Sequence, residues 1–362
     1  MDQAAVSGAD RITALRAAVL EQRATILDVT RFVHEHPELA HEEVQGADRI
    51  AAALRPLEVE RPFAGMETAL RAVLRGALPG PAIAVVAVYD AVGVPAADGT
   101  LRPAHSCGHG PIAGAVAGAA RALAALRASL AGTVTVLGLP ADELVSPRAI
   151  AEGSGKALAV DRGAFDGIDA VLYVHPESHT GVWRSSKWMQ LFEVVTAAGA
   201  DPADWALPFA GYRIDQVVRS ADRTAVVLRA LGDTEQELDE RAEAARLSIP
   251  HQSWTALGRT ESLTCDPRVV AAAESALRDL GLVPDPDTPM MPFSTDFGNV
   301  SRRVPAAMIG LTRAEGWAVH TDEGERQFLS AAGEELAVTM AEVIATAVDR
   351  LTSTWNRKGT RR

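Results

Sequence analysis

Thiol, imidazole and carboxylate side chains that could bind metal occur at well separated positions of the sequence. These residues are Cys107, His109, Glu143, His175 and His320. Zn²⁺ accepts such a mixture of sulfur, nitrogen and oxygen ligands. Five candidates exceed the needs of one tetrahedral zinc with an open position, whereas a thiolate or carboxylate can bridge two ions about 3.5 to 4 Å apart. The set therefore predicts a site for two divalent ions, zinc first, with manganese or cobalt as alternatives.

Asp142 directly precedes the candidate ligand Glu143 and supplies a second carboxylate. A bound ion lowers the pKa of its water towards ~7, so that a neighbouring carboxylate is able to take the proton of that water. Asp142 is therefore the candidate general base. Together with the ligand candidates it predicts a dimetal hydrolase.

Each of these residues also has a purely structural interpretation. A lone buried cysteine is usually a small hydrophobic residue, which is our interpretation of Cys265, whereas Cys107 stands in a Gly-rich Cys-Gly-His sequence. His175 could complete a strand end, and His320 could lie on the surface. Acidic residues such as 142–143 are typical of the first turn of a helix. The joint position of these residues at predicted strand ends is what favours a shared site.

The elements that must bring these residues together are visible as apolar patterns. Short continuous apolar runs predict buried strands at 82–88, 133–139, 170–174 and 305–311. Apolar periodicity predicts helices at 12–33, 42–54, 113–130, 146–160, 265–280 and 327–351. Strands that alternate with helices predict an α/β fold with a mostly parallel sheet and helices on both faces.

The predicted strands end just before acidic or imidazole side chains. Asp90, the pair at 142–143, His175 and, after a short loop, His320 follow the four strands in that order. In open parallel sheets the functional residues collect beyond the carboxyl ends of the strands, which share one edge. The Cys-Gly-His loop precedes the next predicted helix and enters the same edge. We therefore expect all the candidate ligands to converge there.

A different pattern interrupts the alternation in the second half of the chain. Two strands and one charged helix are predicted at 189–195, 224–230 and 234–247. They form a small inserted α+β unit. We therefore expect a discontinuous metal-binding domain, 1–187 and 251–362, and a satellite domain, 188–250.

Charge and composition exclude several classes of function. The chain has 35 Lys and Arg against 47 Asp and Glu, a net charge of −12 that opposes nucleic-acid binding. Two cysteines provide no disulfide framework and favour a reducing compartment. The N-terminal stretch lacks the apolar block of a signal peptide, and the uncharged window at 103–120 is mostly Gly, Ala and Pro with two His. We expect a cytoplasmic protein without nucleic-acid or membrane partners.

Six stretches resemble, in order, a family of zinc-dependent amidohydrolases and metallopeptidases in peptidase clan MH. That family includes aminoacylases, carboxypeptidase G, hippurate hydrolase, aminobenzoyl-glutamate hydrolase and the plant auxin-conjugate hydrolases. The stretches are HEHPELAHEE (34–43), VYDAVG (88–93), HSCGHG (105–110), LPADE (139–143), GAFDGIDAVLYVHP (163–176) and STDFGNVSRRVPA (294–306), with His320 downstream.

The resemblance implies a role for each matching residue. The implied metal ligands are Cys107, His109, Glu143, His175 and His320. Cys107 would bridge the ions. The Asp90 carboxylate would contact the metal ligands without binding an ion itself. The C-terminal signature implies that Ser294, Asp296 and Asn299 lie behind the ligands or bind substrate.

The resemblance also implies a zinc-aminopeptidase-like α/β domain with a satellite domain that usually mediates dimerisation, so we expect a monomer or a homodimer. The implied reaction is hydrolysis of an amide or peptide bond in a small N-acyl amino acid or a dipeptide-like substrate. Metal-bound hydroxide would attack the carbonyl, with Asp142 as general base.

Three departures from the family pattern bear on this expectation. Asp142 stands where relatives have Glu, and Gly110 stands where they usually have Asp. The satellite is normally a unit of four strands and two helices, and the two predicted strands with one helix indicate a truncated version. Its Gly-x-x-x-His element is replaced by TAAGADPADWA (196–206), which has no His. Loss of one oxyanion donor slows hydrolysis by ~10² to 10³.

These departures leave two alternatives open. The same scaffold could form amides, close rings or rearrange acyl groups in a biosynthetic pathway. It could also be a catalytically silent protein that binds metal or a ligand.

Overall fold

The computed structural model describes residues 8–95, 100–205, 207, 211–286, 288 and 290–355. The helices are α1 Gly8–Glu21, α2 Arg23–Glu35, α3 Val44–Ala53, α4 His109–Ala125, α5 Pro147–Glu152, α6 Gly155–Asp161, α7 Glu235–Ser248, α8 Pro267–Asp279, α9 Phe297–Ser301, α10 Asp322–Leu329 and α11 Ala331–Thr354. The strands are β1 Glu58–Glu60, β2 Leu70–Arg75, β3 Leu78–Ala87, β4 Val92–Pro95, β5 Leu101–Ala104, β6 Ala131–Gly138, β7 Ala170–Pro176, β8 Gly181–Trp183, β9 Trp188–Ala197, β10 Tyr212–Arg219, β11 Arg223–Gly232, β12 Ser253–Thr260 and β13 Ala306–Leu311.

The larger sheet has the strand order β1-β2-β6-β3-β7-β13-β8. Its four central strands, from β6 to β13, run parallel, while β1, β2 and β8 are antiparallel additions at the edges. Every residue of β7 and of β13 is buried, which is why these strands read as continuous apolar runs. The predicted α/β fold with a mostly parallel sheet is confirmed.

Helices cover this sheet and enclose its core. Both α4 and α11 contact β3, β6 and β7, while α8 packs against β7, β8 and β13. Small residues of α4 allow α2 to approach it closely, since a Cβ on Gly114 would collide with the Thr30 side chain and one on Gly118 with Ile26. Within the described residues, no helix combines the length and the apolar character that a bilayer span requires.

A second, smaller sheet forms the satellite unit. Its order is β10-β11-β9-β12, every pair is antiparallel, and α7 packs on β9 and β11. Two of these strands, β10 and β12, are missing from the sequence prediction because they are edge strands whose residues are mostly exposed or half-buried. Since β12 pairs with β9, the satellite sheet extends beyond residue 250, to Thr260. The predicted boundary at 250 was too early.

Three long predicted helices are each divided in two. The first breaks at Gln22, between α1 and α2, and the last breaks at Ser330, between α10 and α11. The helix predicted at 146–160 breaks between α5 and α6 at Gly153, where φ is +94°. At the breaks at Gln22 and Ser330 apolar periodicity continues because both halves bury their faces in the same core.

Candidate metal centre

The predicted ligands converge at the carboxyl edge of the parallel strands. Cys107 lies in the loop after β5, and His109 is the first residue of α4. Glu143 follows β6, His175 is the penultimate residue of β7, and His320 lies between β13 and α10. All of them except His320 are buried. The side chain of His320 is 49% exposed, so the cluster opens to solvent beside it.

The Cys107 sulfur faces two imidazoles. Its Sγ lies 3.6 Å from Nε2 of His175 and 3.2 Å from Nε2 of His320. The same His320 nitrogen lies 3.0 Å from Oε1 of Glu143, which in turn lies 4.0 Å from Nε2 of His109. Three overlapping groups each have their potential ligand atoms within 4.8 Å of one another: Cys107, His109 and His175; Cys107, Glu143 and His320; His109, Asp142 and Glu143.

Hydrogen bonds at Nδ1 orient two of the imidazoles towards the cluster. Nδ1 of His109 donates to the carbonyl of Asp90 at 2.7 Å and lies 3.1 Å from the Asp90 carboxylate. Nδ1 of His175 donates to the carbonyl of Pro176 at 2.8 Å and lies 3.1 Å from Oε1 of Glu177. Such partners fix the tautomer that leaves Nε2 for a metal. Asp90 also accepts from the backbone N–H of Glu143 at 2.8 Å.

Two of the candidate ligands ionise readily. Burial and the Glu143 carboxylate disfavour the Cys107 thiolate, but His175 and His109 outweigh them and lower the pKa of the thiol to about 7. Burial also opposes ionisation of Glu143, yet His320 and His109 lower its carboxyl pKa to about 2. Deprotonated sulfur and oxygen are the forms that bind metal.

The imidazoles bind protons tightly when no cation is present. Burial would lower the pKa of His175, but Cys107 and Glu177 raise it to about 10. The Glu143 carboxylate raises the pKa of His320 to about 11. A cation in the cluster therefore replaces protons, which makes its binding stronger as the pH rises.

The donor set passes a direct test for a divalent cation. Nε2 of His109 is buried without a hydrogen-bond partner among the described residues, although a thiol and two carboxylates surround it. A buried polar atom left in this state is costly unless a partner binds it. Sulfur, nitrogen and oxygen donors at these distances fit zinc or a similar ion.

Asp142 lies beside the ligands, with its two oxygens in different surroundings. Oδ2 is 3.4 Å from Nε2 of His109, while Oδ1 accepts from the ammonium of Lys156. Burial disfavours the ionised form, but Lys156 and His109 hold the pKa of Asp142 well below its usual range. The carboxylate is therefore in the deprotonated state that a general base requires.

Asp296 belongs to the same buried network. Its Oδ1 accepts from Nζ of Lys156 at 2.7 Å and its Oδ2 from the Lys156 backbone N–H at 3.1 Å. Burial raises the pKa of Asp296 to about 6 against the opposing effect of Lys156, and Asp142 adds to the rise. Asp296 is thus connected to Asp142, the candidate base, through the Lys156 ammonium that both carboxylates contact.

The other two residues of the C-terminal signature are Asn299 and Ser294. Asn299 accepts from the backbone N–H of Glu261 at 3.1 Å and donates to the carbonyl of Arg259 at 3.4 Å, so it ties α9 to the end of β12. Ser294 is half-buried on the loop before Asp296. Substrate binding by these two residues stays a prediction.

Sequence reasoning missed three buried charged residues around the site. Lys156 pairs with Asp142, the candidate base, and Oε1 of Glu177 lies 3.1 Å from Nδ1 of His175. Glu43 accepts from the backbone N–H groups of His41 and Ala141, both at 2.9 Å. The only available signal was for Glu43, which ends the HEHPELAHEE motif.

Comparisons with known proteins identify relatives of this chain. A family model described as peptidase family M20/M25/M40 matches residues 89–348. N-acetyl-L-cysteine deacetylase of Bacillus subtilis (strain 168) is 31% identical over 156 residues, which are 41% of this chain and 36% of the relative. One of the subunits of p-aminobenzoyl-glutamate hydrolase from Escherichia coli (strain K12) is 30% identical over 181 residues, 46% of this chain and 36% of the relative. The chain therefore spans little more than a third of the length of these relatives.

Solved structures share the fold over nearly the full length. A dinuclear metal-binding peptidase of the M20 family from Bacillus subtilis superposes with a TM-score of 0.65 at 21% identity, covering 95% of this chain and 99% of that one. An aminobenzoyl-glutamate utilization protein from Klebsiella pneumoniae gives 0.62 at 16% identity, covering 95% and 100%. Because the family model covers more than half of the sequence, including every loop from Asp90 to His320 that meets at the sheet edge, the chain belongs to peptidase family M20/M25/M40.

Proposed function

We propose that the protein hydrolyses the amide or peptide bond of a small N-acyl amino acid or dipeptide-like substrate. The reaction would use two divalent metal ions, and zinc is the first candidate for both. The observation that carries the proposal is the cluster of five potential ligands, one of which, His109, has its Nε2 buried without a hydrogen-bond partner among the described residues and 3.4 Å from the Asp142 carboxylate. Two relatives point to the substrate class, since one is named for N-acetylcysteine and another for aminobenzoyl-glutamate. Each of these names describes an acyl group in amide linkage to an amino acid.

The ligands divide into two groups that share the Cys107 sulfur. His109 and His175 lie on one side of it, and Glu143 and His320 lie on the other. Two ions bound there would polarise the scissile carbonyl and lower the pKa of the attacking water. A thiolate between the groups suits the role of bridging ligand.

Asp142 supplies the proton transfers of the proposed reaction. Its Oδ2 takes a proton from the attacking water as the new C–O bond forms, and returns it to the leaving nitrogen as the C–N bond breaks. The products are a carboxylic acid and an amine. Because His320 is half-exposed while the other candidate ligands are buried, we place the entry of substrate beside His320.

The test is a mixed library of N-acyl amino acids and dipeptides, incubated with protein loaded with zinc, manganese or cobalt and analysed by mass spectrometry. We expect hydrolysis products that disappear with a chelator. Asp142→Asn should lower kcat by about 10² to 10⁴ while both ions stay bound. Asp222→Asn, at an exposed turn of the satellite, is the matched control and should retain full activity.

Two results would contradict the proposal. Two metal equivalents per chain without turnover of any library member would favour a silent binding protein. Products that contain a new amide bond, without hydrolysis, would favour the biosynthetic alternative.

A further inference from the structure

Ala141, the residue directly before the candidate base, has a left-handed backbone conformation. Its φ is +56°, although it is not a glycine. A residue with a Cβ adopts this conformation at a cost in free energy and keeps it only where its surroundings hold it there. The backbone at Ala141 sets the direction in which the chain continues to Asp142. Whatever holds Ala141 therefore also helps to place the base.

The fully buried carboxylate of Glu43 makes that contact. Its Oε1 accepts from the backbone N–H of Ala141 at 2.9 Å, across 98 positions of the chain. The same oxygen accepts from the N–H of His41 at 2.9 Å, and His41 is itself left-handed with φ at +65°. Oε2 accepts from the Thr68 hydroxyl at 2.9 Å. One carboxylate thus joins two left-handed turns, and the second turn leads into the base.

The backbone on either side of Asp142 is bound by a different carboxylate. Glu43 accepts from the N–H of Ala141, before the base, and Asp90 accepts from the N–H of Glu143, after it, at 2.8 Å. Glu143 is a candidate metal ligand, whereas Ala141 is not. Loss of Glu43 should therefore displace the base while Asp90 still holds the ligand.

We propose that Glu43 is a positioning residue for the base: it keeps Ala141 in the left-handed conformation that directs Asp142 towards His109. The inference rests on the proposed function, in which Asp142 is the general base. The groups that donate to Glu43 belong to residues outside the candidate ligand set. Glu43 thus acts on the base through the backbone and not through the ions.

This role predicts a loss of turnover without a loss of metal. Glu43→Leu keeps much of the side-chain volume and removes the acceptor oxygens. We expect kcat to fall by about 10², the effect of displacing a catalytic group by about 1 Å. The bound metal should stay at two equivalents per chain. Glu43→Gln keeps an acceptor oxygen and should retain most of the wild-type kcat, and Glu42→Leu, at the exposed neighbour, is the matched control.

A double variant separates positioning from stability. Glycine adopts positive φ without the penalty of a Cβ, so Ala141→Gly allows the turn to form without support from Glu43. Added to Glu43→Leu, it should raise kcat about tenfold above that of Glu43→Leu alone. A merely structural glutamate would change the urea unfolding free energy and leave kcat of the folded protein unchanged. Wild-type kcat in folded Glu43→Leu, or no recovery in the double variant, would overturn the proposal.

Amide hydrogen exchange, followed by NMR, tests the contact without a substrate. The Ala141 amide is buried and bound to Glu43, so its exchange should be slow in the wild type and in Glu43→Gln. It should become much faster in Glu43→Leu, while the Glu143 amide, held by Asp90, stays slow. Equal protection of the Ala141 amide in wild type and Glu43→Leu would overturn the proposal.

A crystal structure of the metal-loaded wild-type protein decides the question even if Glu43→Leu does not fold. We expect positive φ at Ala141 and its N–H on the Glu43 carboxylate. An Ala141 N–H that points elsewhere would overturn the proposal. Neither the exchange nor the crystal structure depends on turnover, so failure of the amidase assay would overturn the proposed function and leave these two results to be judged separately.

Discussion

Nε2 of His320 lies 3.2 Å from Sγ of Cys107, although 213 positions separate the two residues in the chain. The backbone brings them together, since the His320 N–H donates to the carbonyl of Ser106 at 2.8 Å. The same sulfur faces His175 at 3.6 Å. Cys107 therefore lies between candidate ligands that come from different strand ends, and we propose that its thiolate would bridge two ions.

Cys107→Ser should lower the bound metal from two equivalents per chain to one or fewer. Serine has nearly the shape of cysteine, but its hydroxyl stays protonated at neutral pH and does not replace a thiolate whose pKa is about 7. Metal content after gel filtration, measured by mass spectrometry of the eluted metals, gives the answer.

Cys265→Ser is the matched control for this experiment. Its Sγ donates to the carbonyl of Trp183 at 3.0 Å, and it belongs to none of the ligand groups. The variant should keep two equivalents. If Cys107→Ser also keeps two, the bridging role is wrong.

Gly108→Ala should damage the metal centre through the backbone. Gly108 joins Cys107 to His109 with φ at +86°, and a Cβ there would collide with Pro176 and lie 3.1 Å from the Phe328 ring. The left-handed conformation costs a residue with a Cβ about 1 to 2 kcal/mol, and the collision adds to this by displacing both ligands. We expect lower unfolding free energy in urea together with much weaker metal binding.

Gly153→Ala separates these two effects. Gly153 also has positive φ, +94°, but a Cβ there would meet nothing within 4 Å. Its ψ of 175° lies in a region that only glycine adopts readily, so this variant should lose about 1 to 3 kcal/mol of stability through the backbone alone and keep its metal affinity. Equal loss of metal affinity in both glycine variants would show that the collision at Gly108 is unimportant.

The sequence was sufficient to predict that the candidate ligands converge, because parallel strands impose a common edge. Once the four apolar runs are recognised as strands, Asp90, Glu143 and His175 must emerge side by side. Lys156 could not be found in this way. It is one of 35 Lys and Arg residues, and only the packing of α6 against α9 places it on Asp296.

The satellite shows where apolar patterning fails. Its central strands, β9 and β11, are largely buried and were predicted close to their observed bounds. Nearly all residues of its edge strands, β10 and β12, are exposed or half-buried, and these strands owe their structure to backbone pairing with their neighbours. A strand of that kind leaves little apolar signal in the sequence.

Asp90→Asn should weaken metal binding about 10- to 100-fold without removing any ligand. The Asp90 carboxylate accepts from the Glu143 N–H with one oxygen and faces Nδ1 of His109 with the other. An amide has only one acceptor oxygen, so its NH₂ group would oppose one of these two donors. Isothermal titration of metal-free protein measures the change.

Asp169→Asn is the control for the loss of a structural carboxylate. Oδ2 of Asp169 accepts from the Ala82 N–H at 2.8 Å at the start of the same strands, away from the cluster. This variant should lose stability and keep its metal affinity. An Asp90→Asn protein with the affinity of the Asp169→Asn protein would refute the orienting role of Asp90.

Glu43 leads to a prediction about pH. It is fully buried, accepts from the N–H groups of His41 and Ala141, and accepts from the Thr68 hydroxyl at 2.9 Å. Burial and the nearby Asp90 raise the pKa of Glu43 to about 8, from an ordinary value of 4.5. The folded chain therefore keeps a proton on Glu43 in a range where the unfolded chain has lost it.

The sign of the effect follows from that difference. Between pH 4.5 and about 8 the folded state binds more protons at Glu43 than the unfolded state, so this residue lowers the unfolding free energy as the pH rises, by up to about 1.4 kcal/mol per pH unit. Below that window the effect is absent.

Glu43→Gln keeps an acceptor oxygen and removes the titration, so its unfolding free energy should fall less steeply between pH 5 and 8. Urea unfolding with a chelator present excludes any contribution from metal, and the exposed neighbour Glu42→Gln should keep the wild-type slope. Parallel curves for wild type and Glu43→Gln would show that Glu43 is ionised in the folded protein.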